Sequence, residues 1–373
     1  MRVMHVAADL GTYGAERFVV LLLDRLRGPD IELAALTVAP SRPGDAPPGV
    51  ERFAAGRRGR YGLGFLGRMA GFMRAWRPDL VHTHTHAGKY WGRLAAILAG
   101  VPAIVHTEHN SEFGAPALFR PLNRLLLART DAVVTFSQAQ RDRLVAEERI
   151  APERIAVIPS GIAISERDPD ARERARASLA AGEGERILVH VGRLSAVKNQ
   201  ALAIEALALL PATVRLVLIG EGRDRGALTE LTRERGVAER TAFLGYRADA
   251  AALVAGADAA LISSLNEAMP LAAIEAMLAG APVVSTPWLG AAEMLGAGAY
   301  GVLSPDFSAP ALAAAIRRVL ERGDDTEARL ARAAAFARSE YDIAVTARRH
   351  AELYRSVIGR KRSANPAITA PRS

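Results

Sequence analysis

Cysteine is absent from the 373 residues, and aromatic residues make up only 5% of them. Without cysteine the chain has no disulfide and no thiolate metal ligand, which is typical of a protein from a reducing cytoplasm. The few aromatic residues and the lack of a recognisable nucleic-acid motif argue against a nucleic-acid partner, although the formal net charge is +8. Anionic substrates or an anionic membrane surface remain compatible with that charge.

Long apolar runs are missing as well. No run reaches the roughly 20 residues needed to span a bilayer, and the chain starts directly with a strand-like segment, MRVMHVAADLG. The length predicts two or three domains, and a composition that is 50% hydrophobic and 24% charged predicts a soluble globular protein. We therefore expect a cytoplasmic protein that is neither secreted nor integral to a membrane.

The most informative stretch covers residues 260–295, ALISSLNEAMPLAAIEAMLAGAPVVSTPWLGAAEML. Its pattern predicts a strand, a helix that ends at Gly280 and a second strand. Pro270 suits the first helical position, which makes Met269 the N-cap. A methionine side chain cannot accept hydrogen bonds from the first N–H groups of the helix, such as that of Leu271. Free N–H groups at the positive end of a helix predict a phosphate site.

Two carboxylates flank this predicted helix start. Glu267 precedes the helix and Glu275 lies within it, and helical rotation of about 100° per residue lets both border one cleft. Carboxylates beside a phosphate site serve hydroxyl groups and not the phosphate. The predicted ligand therefore carries both a diphosphate and sugar rings.

This stretch, Glu267-Ala-Met-Pro-Leu-Ala-Ala-Ile-Glu275, resembles the donor-site signature of retaining glycosyltransferases of family 4, which have the GT-B fold. The resemblance implies that Glu267 contacts hydroxyls of the transferred sugar and that Glu275 contacts the ribose. It also implies that the backbone of Met269, Pro270, Leu271 and the next residue binds the diphosphate. The family usually has glycine where this chain has Ala268.

A second cluster follows the predicted strand RILVHV, where Gly192 and Arg193 lead to Lys198 just before a helix. Two fixed cations thus lie at the end of a strand, where ligands bind in sheets of this kind. The family resemblance implies that Arg193 and Lys198 grip the donor diphosphate, whose negative charge grows as the sugar leaves. The next strand repeats the pattern, and the glycine of its turn, Gly220, joins the predicted donor site.

The first half of the chain carries the predicted acceptor side. A strand, a glycine loop and a helix predict a cradle for a phosphate or sugar. Within this loop, Gly11 is assigned to the acceptor and Gly14 to the donor. His109 matches a family histidine that closes a strand, and the resemblance implies that it hydrogen-bonds the transferred sugar and shapes the acceptor side. Residues from Gly88 to Arg93, after the strand DLVHTHTH, are expected to border the acceptor.

The histidines of that strand also suggest a different class of protein. Strand alternation puts His82, His84 and His86 on one face, and His106 and His109 follow closely. Alternating histidines at a strand end occur in metal-dependent hydrolases with a barrel fold. That alternative requires eight βα repeats, whereas the sequence shows two halves, so we predict no metal site.

A basic and apolar segment at residues 57–77 has two interpretations. It could be an amphipathic helix on anionic lipid at the inner face of the plasma membrane. Arginines would then face the headgroups and apolar side chains would insert into the lipid (Arg57, Arg58, Arg60 and Arg68; Phe65, Met69 and Phe72). The alternative is a surface helix that packs its apolar side on the sheet.

Together these patterns predict an α/β protein of the GT-B class, with two Rossmann-like domains that face a central cleft. Residues 1–163 form the acceptor domain, 164–340 the donor domain, 341–358 a helix that crosses back to the first domain, and 359–373 a disordered basic tail. The resemblance covers nearly the whole chain to about Ile358.

The implied activity is retaining transfer of a hexose-type sugar from a UDP- or GDP-sugar to a saccharide or lipid-linked acceptor. His109, Glu267, Arg193 and Lys198 are the expected catalytic residues, with no cofactor and no metal. A nucleotide-sugar epimerase of the same fold, and a non-catalytic subunit that binds sugar nucleotides, are the alternatives. A phosphorylase would need pyridoxal phosphate, for which no lysine site is evident.

Overall fold

The computed structural model describes residues 1–11, 14–39, 46–56, 64–109, 120–164, 168–321 and 326–364. The chain divides into two compact units. The N-terminal unit comprises Met1–Ala163 together with the chain from Ile343 onward, and the C-terminal unit comprises Ile164–Asp342.

Strands and helices alternate through both units. The elements up to Ala163 are β1 (Arg2–Ala7), α1 (Gly14–Leu26), β2 (Glu32–Thr37), β3 (Glu51–Ala54), α2 (Gly64–Trp76), β4 (Leu80–Thr83), α3 (Thr85–Ala87), a π-helical turn (Gly88–Gly92), α4 (Arg93–Ala99), β5 (Ala103–Thr107), α5 (Arg120–Ala128), β6 (Ala132–Thr135), α6 (Gln138–Glu148) and β7 (Ile155–Val157). From Ile164 they are α7 (Ala171–Ser178), β8 (Arg186–Val191), α8 (Gln200–Ala208), β9 (Val214–Ile219), α9 (Arg225–Glu234), β10 (Thr241–Gly245), α10 (Ala250–Leu253), β11 (Ala259–Ile262), α11 (Leu271–Ala279), β12 (Val283–Ser285), α12 (Ala291–Met294), β13 (Val302–Leu303), α13 (Ala309–Leu320) and α14 (Thr326–Glu340). The last helix is α15 (Ile343–Ala364).

Each unit is built on one open parallel sheet. The strand order is β3-β2-β1-β4-β5-β6-β7 in the N-terminal unit and β10-β9-β8-β11-β12-β13 in the C-terminal unit. The order reverses between β1 and β4 and again between β8 and β11, and ligands of such sheets bind beyond the carboxyl ends of the strands at this switch point. Neither sheet is the closed barrel that the metal-hydrolase alternative requires.

The burial of the apolar face of helix α2 decides between the two interpretations of residues 57–77, insertion into lipid and packing on the sheet. Phe65 and Met69 are 2% and 0% exposed and pack in the core of the N-terminal unit, and Phe72 packs against the same core. The hypothesis that these side chains insert into lipid is therefore wrong for Phe65 and Met69, because the sheet already buries them. The interpretation of a surface helix that packs on the sheet accounts for this face.

The basic side of this segment is described only in part. Arg68 donates hydrogen bonds to the carbonyl groups of Ala55 and Gly56 at 2.7 and 3.2 Å. Arg57, Arg58 and Arg60 lie outside the described residues. Among the helices that are described, none combines the length and the apolarity that a membrane crossing requires.

Helix α15 packs along α1 and completes the N-terminal unit. Its first N–H group, that of Ile343, donates to the Ile162 carbonyl at 2.9 Å, and the Thr346 hydroxyl donates to the Pro159 carbonyl at 3.0 Å. The helix continues to Ala364, so residues 359–364 are helical and the predicted disordered tail does not begin at residue 359. Residues 365–373 lie outside the described ranges.

Candidate functional site

The switch point of the C-terminal sheet gathers the residues predicted to bind the donor. Strand β8 ends at Val191 and leads into the loop that contains Arg193 and Lys198, while β11 ends at Ile262 and leads toward Glu267. Because β8 and β11 are parallel neighbours, their carboxyl ends place the two loops side by side.

Hydrogen bonds hold these two loops together. The Ser263 hydroxyl lies 3.0 and 2.9 Å from the carbonyl oxygens of Lys198 and Asn199, and 3.1 Å from His190 Nε2. Burial lowers the pKa of His190 to about 4, so its ring is neutral at pH 7. The Ser263 hydroxyl donates its one hydrogen to a carbonyl oxygen, so its oxygen accepts a hydrogen bond from the Nε2–H group of His190. These bonds tie the end of β11 to the Lys198 loop.

Lys198 and Glu267 form the central contact of this site. Lys198 Nζ lies 2.5 Å from Glu267 Oε1, and the Ser264 hydroxyl donates to the same oxygen at 2.7 Å. The Glu267 side chain is only 12% exposed and that of Lys198 is 26% exposed, so the pair is partly shielded from water. The cation and the carboxylate thus satisfy each other, and an anion that binds Lys198 must compete with Glu267.

The glycines of the site allow one backbone to touch another. Gly220 follows β9 with φ of +140°, and a Cβ atom at this position would lie 2.1 Å from the Gly192 carbonyl oxygen. A Cβ atom at Gly222 would lie 2.0 Å from the Leu194 carbonyl oxygen. The loop of Arg193 therefore rests directly on the β9 turn, and only glycine leaves room for it.

Replacing Gly220 with alanine is expected to destabilise the C-terminal unit by at least ~2 kcal/mol, because strain at this φ adds to the clash with the Gly192 carbonyl. Urea unfolding measures the loss. The control is Gly226→Ala in α9, where an added Cβ meets nothing within 4 Å and the helix gains stability. Equal midpoints for Gly220→Ala and wild type would contradict the packing argument.

Helix α11 begins one residue later than the sequence predicts. Pro270 is the N-cap, with φ of −73° and ψ of 111°, and Leu271 is the first helical residue. The prediction that Met269 is the N-cap is wrong, because this ψ of Pro270 is extended and not helical. Proline offers no side-chain acceptor either, so the first N–H groups of α11 still lack a capping side chain. Glu275 lies in the second turn and is 8% exposed.

In the N-terminal unit, histidines occupy the corresponding switch point. His5 of β1 is in register with His82 of β4. The strand predicted to run through His86 ends at Thr83, because Thr85 has φ of +60° and turns the chain into α3. His84 is buried at this turn, whereas His86 is exposed on α3, so the predicted single face of alternating histidines is wrong.

Four imidazoles, those of His109, His84, His5 and His82, belong to one hydrogen-bonded series that passes through the Tyr354 hydroxyl and ends at the Thr107 hydroxyl. We call this series the histidine chain. His109 Nε2 lies 3.1 Å from His84 Nδ1, and His84 Nε2 lies 3.0 Å from His5 Nδ1. The series continues from His5 Nε2 to Tyr354 Oη (3.5 Å), from Tyr354 Oη to His82 Nδ1 (2.6 Å), and from His82 Nε2 to Thr107 Oγ1 (2.7 Å).

The histidines of the chain are uncharged at neutral pH. Burial lowers the pKa of His5 to about 3, and it holds the pKa values of His82 and His84 well below the usual 6.5. Desolvation also lowers the pKa of the partly exposed His109 to about 3. Each ring therefore carries one N–H donor and one lone pair.

His5, His82 and His84 also place three ring nitrogens within 4.8 Å of one another, a spacing that could suit a metal ion. All six nitrogens of these rings already have a hydrogen-bond partner in the protein. An ion would have to replace several of these bonds, so hydrogen bonding explains the cluster better than coordination does.

Arg93 does not border an acceptor. Its side chain is fully buried and donates to the Lys89 carbonyl, to Asn123 Oδ1 at 3.0 Å and to Thr130 Oγ1 at 3.3 Å. Burial lowers its pKa to about 10. The prediction that Arg93 binds the acceptor is wrong, because all of its hydrogen bonds go to the interior of its own unit.

The glycines predicted for the first half of the site lie in different settings. An added Cβ at Gly88 would lie 3.0 Å from the Val6 carbonyl oxygen, so this glycine lets the π-helical turn pack on β1. Gly11 follows β1, and a Cβ there would lie 2.6 Å from Glu16 Oε2. Gly14 is exposed at the start of α1 with φ of +50°. Ligand contacts of all three remain predictions.

Three residues of these clusters, Ser264, His5 and Tyr354, were not predicted from the sequence. The Ser264 hydroxyl donates to the Glu267 carboxylate that also contacts Lys198. The only feature of the sequence that points to Ser264 is its position between a predicted strand and Glu267. His5 could have been found by pairing its strand with the later histidine strand, as the parallel order of the sheet requires. Tyr354 is 272 residues from His82, and no local pattern points to it.

Comparison with known proteins identifies the family. The model described as Glycosyltransferase Family 4 matches residues 12–166, and the model described as Glycosyl transferases group 1 matches residues 171–335. Glycogen synthase of Mycobacterium tuberculosis is 31% identical over 311 residues, which cover 79% of this chain and 73% of that protein. A D-inositol 3-phosphate glycosyltransferase of Mycobacterium marinum is 29% identical over 276 residues, covering 69% of this chain and 59% of that protein.

Solved structures show the same fold. Anabaena Alr3699/HepE in complex with UDP aligns with a TM-score of 0.82 and 23% identity, over 95% of this chain and all of that one, and its UDP-glucose complex aligns with a TM-score of 0.81. Two Rossmann-like units with parallel sheets define the GT-B class of glycosyltransferase. The chain belongs to the family 4 glycosyltransferases within that class.

Proposed function

We propose that this glycosyltransferase moves a hexose-type sugar from a nucleoside-diphosphate sugar to a saccharide or lipid-linked acceptor, with retention of anomeric configuration. The contact between Lys198 and Glu267 carries the proposal. It joins a cation suited to a diphosphate with a carboxylate suited to sugar hydroxyls, at the switch point where ligands of such sheets bind.

Each group has a distinct task in the proposed reaction. The diphosphate gains negative charge as the glycosidic bond breaks, and Arg193, Lys198 and the N-terminus of α11 stabilise that charge without a metal ion. When the diphosphate engages Lys198, the Glu267 carboxylate becomes available to accept hydrogen bonds from hydroxyls of the transferred sugar. Glu275 is proposed for the ribose and His109 for a sugar hydroxyl. The leaving phosphate takes the proton of the acceptor in a front-side substitution.

The relatives favour UDP over GDP and leave several acceptors open. Alr3699/HepE was solved with UDP and with UDP-glucose. Two curated relatives are named glycogen synthase and D-inositol 3-phosphate glycosyltransferase, so one name refers to a polysaccharide and the other to a polyol phosphate. A role in cell-envelope, exopolysaccharide or glycolipid synthesis is part of the proposal. A lipid-linked acceptor would bring this protein to the inner face of the plasma membrane.

Thermal unfolding with nucleotides tests the donor. UDP is expected to raise the melting temperature by several degrees at a hundredfold excess over its Kd, since a ligand of the native state then adds about 2.7 kcal/mol. GDP and ADP are expected to shift it less. Equal shifts with ADP, or none with any nucleoside diphosphate, would argue against the proposed site.

Product analysis separates the proposed transfer from its alternatives. With labelled UDP-glucose and a saccharide acceptor, a transferase forms a glycoside that retains the anomeric configuration. An epimerase would convert the sugar nucleotide without an acceptor, and a non-catalytic binding subunit would leave the donor unchanged.

A further inference from the structure

We infer that Tyr354 and Thr107 set the tautomer of His109 through the histidine chain, so that His109 presents a bare Nδ1 to a sugar hydroxyl. The inference rests on the proposed function for the identity of that ligand. The coupling itself is a property of the hydrogen bonds within the N-terminal unit.

A neutral imidazole can donate through one nitrogen only, so a series of neutral histidines must be polarised in one direction. If His109 donates through Nε2, then His84 accepts at Nδ1 and donates through Nε2. His5 likewise accepts at Nδ1 and donates through Nε2 to Tyr354. If His109 accepts at Nε2, every bond along the histidine chain reverses. The tautomer of His109 is therefore coupled to the hydroxyl groups of Tyr354 and Thr107.

The two hydrogen-bond lengths at Tyr354 indicate in which of the two directions the histidine chain is polarised. O–H donors make shorter hydrogen bonds than N–H donors do. The distance of 2.6 Å between Tyr354 Oη and His82 Nδ1 fits a phenol that donates, and the distance of 3.5 Å to His5 Nε2 fits a weak bond that the phenol oxygen accepts. Tyr354 is fully buried, and burial raises its pKa well above 10, so the phenol keeps its hydrogen.

This choice fixes every other proton in the histidine chain. His82 accepts from Tyr354 at Nδ1 and donates through Nε2 to the Thr107 hydroxyl oxygen. His5 donates through Nε2 to Tyr354, His84 donates through Nε2 to His5, and His109 donates through Nε2 to His84. The remaining nitrogen of His109, Nδ1, then holds a lone pair, which can accept a hydrogen bond from a hydroxyl of the transferred sugar.

Tyr354 and Thr107 act as positioning residues because each supplies an acceptor that holds this direction. Without the Tyr354 oxygen, the Nε2–H group of His5 would be a buried donor without a partner, which costs more than a bare lone pair does. The proton of His5 would move to Nδ1, and the reversal would pass through His84 to His109. Loss of the Thr107 oxygen would reverse His82 first, with the same final effect.

Histidine labelled with nitrogen-15 provides a direct test, because protonated and bare ring nitrogens resonate far apart. In the wild type we expect His109, assigned from its loss in His109→Ala, to be protonated at Nε2. In Tyr354→Phe and in Thr107→Val, both close in shape to the wild-type residue, we expect protonation at Nδ1. Tyr341→Phe is the matched control, since it alters a buried tyrosine of the C-terminal unit and should leave His109 unchanged.

Kinetics gives a second readout. Tyr354→Phe is expected to lower kcat about threefold to tenfold, with little change in the KM of the donor, whose diphosphate is bound by the C-terminal unit. A His109 that is protonated at Nδ1 in the wild type, or at Nε2 in both variants, would overturn the inference even if transfer is confirmed. One tightly bound zinc ion per chain, lost in His84→Ala, would overturn it as well. Failure of the proposed transfer would leave the tautomer measurement valid.

Discussion

Replacing Lys198 with alanine is expected to lower kcat/KM for the sugar-nucleotide donor at least tenfold. The change removes a cation that stabilises the leaving diphosphate, and the loss of such a group costs several kcal/mol in the transition state. It also leaves the Glu267 carboxylate, 2.5 Å from Lys198 Nζ in the wild type, without its cation beside the incoming anion. Initial rates with UDP-glucose and an active acceptor measure the effect.

The double variant Lys198→Ala with Glu267→Gln separates these two causes. Neutralising Glu267 removes the repulsion, so UDP binding, measured by thermal shift, should recover in part while kcat stays low. Lys361→Ala is the matched control, because its Nζ pairs with Asp131 Oδ1 at 2.8 Å in the N-terminal unit. Wild-type rates in Lys198→Ala would mean that the donor site has been misplaced.

The grouping of loops at the C-terminal switch point could be predicted from sequence because its parts are local. Arg193, Lys198, Glu267 and Pro270 each lie in a turn that directly follows a strand, and parallel strands align such turns at one edge of the sheet. The sequence could not reveal the ion pair between Lys198 and Glu267, since that contact depends on side-chain geometry across 69 residues. The N-cap was misplaced by one residue because proline suits either position.

The N-terminal site was less predictable because its contacts are distant in sequence. The phenol of Tyr354 reaches His5 and His82 only after α15 has packed on the N-terminal unit, across 349 and 272 residues. Arg93 was misread because an arginine near a predicted turn usually faces solvent, whereas here its own unit supplies enough buried oxygen atoms to satisfy it. Local patterns thus pointed to the histidines but misplaced His86, and they could not reveal the hydrogen bonds that join His5, His84 and His109.

Acidification from pH 7.5 to pH 5 is expected to unfold the N-terminal unit. Burial lowers the pKa of His5 to about 3, and those of His106 and His350 to about 4. In the unfolded chain these histidines return to about 6.5, so the unfolded state binds more protons. Their contribution to stability is fully present above pH 6.5 and is lost as the pH falls toward the folded values.

The size of the effect follows from proton linkage. Each such histidine costs about 1.4 kcal/mol of stability per pH unit below 6.5, or about 2 kcal/mol at pH 5. His82 and His84, whose pKa values lie well below 6.5 through burial, act in the same direction. Together these losses are comparable with the roughly 5–15 kcal/mol by which ordinary domains are stable.

Hydrogen exchange at pH 7.5, 6.0 and 5.0 can follow the two units separately, after correction for the intrinsic exchange rate at each pH. The C-terminal unit contains a single histidine, His190, so its stability should change far less over this range. The variant His350→Leu removes one titrating group. The number of protons taken up when the N-terminal unit unfolds should then fall by about one, so its free energy of unfolding should depend less steeply on pH. Equal losses in both units would show that histidine burial is not the cause. Carboxylates contribute little to the difference between the two units above pH 5, because those with ordinary pKa values titrate near or below pH 4.5.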